Sequence, residues 1–305
     1  MTIISDNWAD ALDPIIHHWF EQGVGQRKNL VGPTLFNVQG SQRDYEEVSS
    51  VGAIGIDAWE NYENSGQVPQ VDFDQGYKRT YTHREFVVEL EILQKFLEDN
   101  KFRQITDAAL RLGDSAMLKR ETDMAGVFNN AFTASVPYLG ADAVALCSDS
   151  HPLSPQKAAA VQDNNFALAL TKANVATIRE AMMGFTDDTN NLVAVMPDLL
   201  LVPPELEDEA LEISKSLLDP ASGNNAINPQ AGRFSVQPWH FLTDADAWFM
   251  IDRTMMKRGL DFFDRVPLNI KFEGVYKQVR ASWTARMRYS YGWSDWRWVA
   301  GSNAS

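Results

Sequence analysis

The side chains best suited to chemistry in this 305-residue chain are five histidines, one cysteine and a few acidic pairs. The histidines are His17, His18, His83, His151 and His240. No two stand four apart on a helix, as a zinc-protease motif requires, and adjacent His17 and His18 point to different helix faces. A metal site is not expected. Cys147 could act as a nucleophile only beside a histidine and an orienting acid, and His151 is its sole near neighbour. The expectation is a buried structural thiol. One cysteine also excludes an intramolecular disulfide and a zinc cage. His151 itself precedes Pro152 in Ser148-Asp149-Ser150-His151-Pro152, a run suited to turn hydrogen bonding.

Asp244 and Asp246 stand beside Trp248 and could form paired carboxylates next to an aromatic platform, the chemistry of a glycosidase. Nine tryptophans keep a carbohydrate-active hydrolase as an alternative, although a solvated turn accounts for the same residues. Gly23-Val24-Gly25 lacks the third glycine of a dinucleotide fingerprint, and Gly52-Ala53-Ile54-Gly55 fails likewise. No phosphate-binding loop or nucleophile elbow occurs. Arg280, Arg286 and Arg288 recur on one side of a strand pattern. They form a possible nucleic-acid or interface stripe, or a row that pairs with carboxylates across a sheet. No catalytic constellation emerges, so the expectation is a protein that is not an enzyme and uses no cofactor.

Composition narrows the class further. The formal net charge is −14, which opposes gripping DNA through phosphate neutralisation; it does not forbid a surface lying beside DNA, and it serves solubility equally well. Hydrophobic residues make up 45% of the chain, enough for a sizeable core. No run of about 18 apolar residues occurs, and Asp6, Asp10 and Asp13 interrupt the N-terminal stretch, so neither a membrane span nor a signal peptide is expected. Synthesis in the cytoplasm follows.

The elements that would position these residues are unusually long. Tyr77 to Ile92 alternates, with Phe86, Val88, Leu90 and Ile92 on one side and Glu85, Glu89 and Glu91 on the other. That predicts a strand roughly 50 Å long, within a hairpin from about Ser50 to Leu93 that cannot stand alone in water. Between Asp99 and Phe132 there is no proline, and Ile105, Ala109, Leu112 and Ala116 share a face. The spacing predicts a helix about 45 Å long, weakened by Gly113 and Gly126. From Val275 to Trp293 the odd positions are apolar apart from Lys277 and the even ones mostly polar or basic, predicting one long half-buried strand. A finer α/β texture lies between. Thr171 is suited to cap a helix carrying Val175, Ile178 and Met182. The run Leu192–Val202 reads as buried, and Pro203-Pro204 opens a helix with Glu205, Glu207 and Asp208 in its first turn.

Several segments resemble one family in the same order. Glu85-to-Leu97 resembles the passage from the extended E-loop into the spine helix of the HK97-type major capsid proteins of tailed phages. Ala145-to-Pro152 resembles the segment ending in His-Pro of Mu-like head subunits. Leu199-to-Leu206, followed by Ala210, resembles the strand-to-helix opening of the axial (A) domain, and Thr243-to-Trp248 the segment before its last strand.

The resemblance implies an α+β fold of HK97 type: N-terminal arm 1–48, β-hairpin E-loop 49–93, peripheral (P) domain 94–160 with 262–305, and inserted α/β A domain 161–261. It implies a virion subunit, assembled in the host cytoplasm into pentamers and hexamers of an icosahedral shell enclosing dsDNA without sequence-specific binding. Partners would be further copies, a separate scaffolding protein, a portal and a decoration protein. Tyr77, Lys78, Arg79, Tyr81 and Arg84 would contact a neighbouring subunit. Asn224, Asn225 and Asn228 would lie near the capsomer axis, and Arg280, Arg286 and Arg288 would form an interface or DNA-side face. An encapsulin-like bacterial compartment is the nearest alternative.

Overall fold

Helix α1 (Trp8–Gln26) opens a computed structural model that describes residues 8–27, 29–59, 68, 70, 74–218, 227–276 and 280–304. Ala9, Leu12, Ile16, Phe20 and Gly23 recur at helical spacing on its buried face. The arm expected at the N-terminus therefore carries a helix, in spite of Pro14. A short helix α2 (Gly32–Leu35) follows, then β1 (Asn37–Gly40), β2 (Tyr45–Val51), β3 (Gln75–Thr82) and β4 (Arg84–Leu93). Helix α3 (Gln94–Glu98) leads into α4 (Phe102–Asn129), whose 28 residues form the expected spine. Helices α1 and α4 cross at backbone contact. A Cβ on Gly23 would overlap the Leu110 carbonyl, and one on Gly113 the Phe20 carbonyl. Gly113 weakens the isolated helix but permits this crossing.

The middle of the chain contributes β5 (His151–Pro152), β6 (Val161–Gln162), β7 (Asn165–Phe166), α5 (Lys172–Met183), β8 (Leu199–Val202), α6 (Glu207–Lys215), β9 (Ser235–Pro238), β10 (Ala247–Ile251) and α7 (Arg253–Gly259). Thr171 caps α5, its hydroxyl accepting from the Asn174 N–H, and Val175, Ile178 and Met182 are fully buried. The run expected to be buried from Leu192 begins only further on. Leu192 and Met196 are exposed, and the covered strand is β8 alone.

The chain closes with β11 (Leu260–Tyr276), β12 (Arg280–Trp293) and β13 (Val299–Asn303). Here the structure corrects two expectations. The single strand expected over 275–293 is the end of β11 and the whole of β12, an antiparallel hairpin. Pro267 obscures β11 in the sequence: it breaks the ladder, and the register shifts between Val266 and Asn269 around it. The ribbon expected over 77–92 breaks at His83 into β3 and β4, which belong to different sheets.

Four sheets form among the described residues, the smallest a pairing of β5 with β6. A four-stranded sheet runs β1-β11-β12-β4, with β1 parallel to β11. A five-stranded sheet runs β7-β13-β10-β8-β9, so the chain end returns to the middle region instead of staying with the last long strand. The arm, β2 with β3, is a two-stranded sheet. One hydrophobic cluster joins the spine's second half to the five-stranded sheet, centred on Phe128, Trp239, Trp248 and Trp298. A second gathers α1, the start of α4 and Trp283 of β12.

Candidate assembly surfaces

The arm is anchored by buried side chains at its root and elsewhere meets the body through a few surface hydrogen bonds. Its ladder runs from Tyr45 opposite Thr82 to Val51 opposite Gln75, and among the described residues no third strand joins it. Val51, Ile54, Ile56, Trp59 and Val68 are exposed, Trp59 to 84%. A two-stranded ribbon with this much apolar surface is marginal in water without cover. At the root, Tyr81 is 2% exposed and packs on Phe263, ring centroids 5.2 Å apart. Gly292 makes room for it, since a Cβ there would lie 3.0 Å from the Tyr81 ring. Arg79 donates to the carbonyls of Pro137 (2.9 Å) and Gly140 (3.4 Å) and lies over the Tyr81 ring. Arg79 and Tyr81, expected as contacts to a neighbour, here tie the arm root to the body of their own chain. Burial pushes the Tyr81 hydroxyl up in pKa and the Arg79 guanidinium down.

The other expected contact residues sit differently. Lys78 pairs across the ladder with Glu47 at 2.7 Å. Tyr77 is half-buried, its hydroxyl shifted up by burial first and by Asp142 second. Arg84 is exposed at the start of β4. Further out, the Ala53 N–H donates to Asp188 and the Gln156 amide donates to the Gln75 carbonyl, so the arm leans on loops of the middle region.

A second junction, unforeseen in the sequence, lies on the spine. Glu121 is 1% exposed, and its carboxylate accepts from the N–H groups of Val31 (2.8 Å) and Gly32 (3.0 Å) and from the Trp239 indole (2.8 Å). Two residues on, Asp123 accepts from the Tyr289 hydroxyl (2.7 Å) and Lys119 (2.5 Å), and Arg120 pairs with Asp264 at 2.9 Å. Charge-assisted bonds of this kind are the strong ones. Glu121 was detectable: it lies four residues after Met117 and three before Met124, on the apolar seam.

The basic row is largely neutralised within the chain. Arg280 pairs with Glu91 at 3.0 Å, Arg286 bonds Glu85, and Arg288 stands opposite Glu85 in the β12–β4 register. The cross-strand alternative is the one the structure adopts. Of the axial residues, Asn224 and Asn225 lie outside the described set. Asn228 is 3% exposed and its amide donates to the carbonyls of Ile213 (2.8 Å) and Ser216 (2.9 Å), closing the loop base.

The candidate chemical groups do not converge. The Cys147 thiol is buried against Gly301 and its pKa is raised by burial. His151 is fully buried, bonded through Nδ1 to Asp142 at 2.7 Å and stacked on Trp296. Trp248 is fully buried, its indole donating to the Leu168 carbonyl, so it offers no platform beside Asp244 and Asp246. Asp244 instead closes a turn, accepting from the Asp246 N–H and from Asn303.

No match to a curated protein is found in sequence alone. Among solved structures, the chain is similar to the capsid of cyanophage P-SCSP1u, with TM-score 0.58 and 12% identity, covering 92% of this chain and 89% of that one. A chain of Mycobacterium phage Patience matches with TM-score 0.56 and 11% identity over 96% and 89%. An encapsulin from Synechococcus elongatus PCC 7942 matches with TM-score 0.50 and 9% identity over 92% and 90%. The fold shared with these shells is the HK97 type. A family model described as phage capsid protein matches residues 79–302, so this chain belongs to the phage capsid protein family.

Proposed function

We propose that the chain is the repeating head subunit of a tailed phage, forming pentamers and hexamers of an icosahedral shell around dsDNA. The observation that carries this is the arm: a ribbon anchored through Tyr81 and Arg79, leaving Ile54, Ile56 and Trp59 uncovered. A neighbouring copy is the natural cover, because every subunit presents the same arm and the same acceptor surface, and such heterologous contacts close into rings. In this reading the arm spans β2 and β3, the body comprises the spine and the four-stranded sheet, and the five-stranded sheet is the axial domain. Lys78 and Arg84 face outward at the arm's base, and the loop closed by Asn228 approaches the capsomer axis. Scaffolding, portal and decoration proteins, assembly in the host cytoplasm and residence in the virion follow from the same reading.

The test replaces residues 54–72 by a short Gly-Ser linker and compares both proteins by analytical ultracentrifugation and negative-stain microscopy. The parent is expected to give rings or closed shells with scaffold present, and the variant folded monomers. Shells of normal size from the variant would overturn the arm's role. An encapsulin-like compartment is the second reading, favoured by the fold shared with an encapsulin. Shells formed without scaffold or portal, and loaded with a protein cargo instead of DNA, would select it.

A further inference from the structure

His83 occupies the one-residue gap between β3 and β4 and is 6% exposed. Ser41 lies between β1 and β2, where the other arm strand leaves the body. Its hydroxyl donates to Glu46 Oε1 at 2.7 Å. A hydroxyl has one proton, so towards His83 Nε2, 3.1 Å away, Ser41 Oγ can only accept. That assigns the ring proton to Nε2 and leaves Nδ1 to accept from the Ser290 hydroxyl at 2.9 Å. The relay Ser290 to His83 to Ser41 to Glu46 runs donor to acceptor throughout. It joins β12 of the body to both roots of the arm, and the Ser41 N–H adds a bond to the Asp264 carbonyl of β11 at 3.0 Å.

We propose that this relay is a latch that fixes the angle of the arm, and that a second proton on His83 releases it. A charged imidazole donates from both nitrogens, so the Ser290 hydroxyl must turn its own proton away inside a site only 5% exposed. Among the described residues that hydroxyl has no hydrogen-bond acceptor other than His83. The surrounding charges are mixed. Arg288 of β12 and Arg265 of β11 oppose charging, while Glu46 of β2 and Asp44 just before it favour it. Burial is the largest influence and, with the two arginines, holds the ring neutral to lower pH than the ordinary value of about 6.5. The device rests on the geometry of the arm root and needs no assembled shell.

The test uses the unassembled full chain. Hydrogen exchange at the imidazole C2 position gives the titration midpoint of His83, and backbone exchange over residues 41–51 and 75–84, corrected for intrinsic rate, gives arm-root protection. All variants are placed on an Asp261→Asn background, which removes a buried carboxyl of the body sheet that titrates in the same range. Arm-root protection is expected to fall about tenfold as pH drops from about 8 through the His83 midpoint, with α5 unchanged. His83→Gln keeps one donor and one acceptor without titrating, so its arm should stay protected at every pH. His83→Ala should be unprotected at every pH. Ser290→Ala should raise the His83 midpoint, because it removes the hydroxyl that stabilises the neutral ring. Protection that ignores the His83 titration, or that falls identically in His83→Gln, would overturn the latch. Because every readout is taken on subunits, failure of the latch is distinguishable from failure of the shell reading.

Discussion

Two antiparallel ribbons of similar alternating pattern meet opposite fates in this molecule. In the β11–β12 hairpin, β12 pairs on both edges, and Ala281, Trp283, Ala285, Met287 and Tyr289 are all buried. In the β2–β3 arm the ladder is equally regular, yet Tyr81 is its only buried hydrophobic residue and Val51 is 66% exposed. Alternation selects which face a side chain joins. Whether that face is covered depends on what the fold, or a partner, lays against it. The body ribbon is completed within the chain, whereas among the described residues nothing completes the arm.

Substitutions can break this contrast, beginning with the body. Trp283→Ala removes a fully buried ring and the donor to Asp13 (2.8 Å), and should cost about 3–5 kcal/mol in denaturant unfolding. A cost under about 1 kcal/mol would mean that β12 does not carry the body. Asp261→Asn should act in the opposite direction. Burial raises the Asp261 carboxyl to about 6, against one neutral partner, Asn37. A raised carboxyl favours the folded state below the unfolded value and loses that advantage as pH climbs through about 6. The parent should therefore lose stability between about pH 4 and about pH 6, and the asparagine variant should be up to about 2–3 kcal/mol more stable at pH 8. Equal melting temperatures at that pH would refute the assignment.

Smaller effects sharpen the comparison. Arg286→Ala removes an exposed cross-strand pair with Glu85 and should cost about 0.2–1 kcal/mol, less at high salt. A larger, salt-insensitive loss would mark the row as an interface. Trp59→Ser on the arm should leave subunit stability within about 0.5 kcal/mol while lowering shell yield by sedimentation. Destabilisation comparable to that of Trp283→Ala would place Trp59 in an intrachain core.

The long elements were legible because period and length are local properties. The spine follows from an unbroken proline-free stretch, and the covered face of β12 from the alternation of Ala281 to Tyr289. Local pattern failed where one residue changed the register of meaning. His83 reads as one more alternating position in a ribbon, and Pro267 reads as a strand breaker although β11 continues through a bulge. The inward partners were hidden for a different reason. Arg79 and Tyr81 look like surface residues of a free arm until the 137–140 segment and Phe263 are brought beneath them. Of the expected site residues, Arg280 and Arg286 are engaged by Glu91 and Glu85, far away in sequence, which no spacing rule detects.

The Glu121 carboxylate has a consequence for how the subunit closes. Its three donor residues lie 90, 89 and 118 positions away along the chain, at Val31, Gly32 and Trp239. The charge is satisfied only when the N-terminal segment, the spine and the middle region are all seated together. A subunit with any one undocked must either leave an unpaired carboxylate in an apolar seam or stay open to water. One side chain thus couples the seating of three segments that are distant in the sequence.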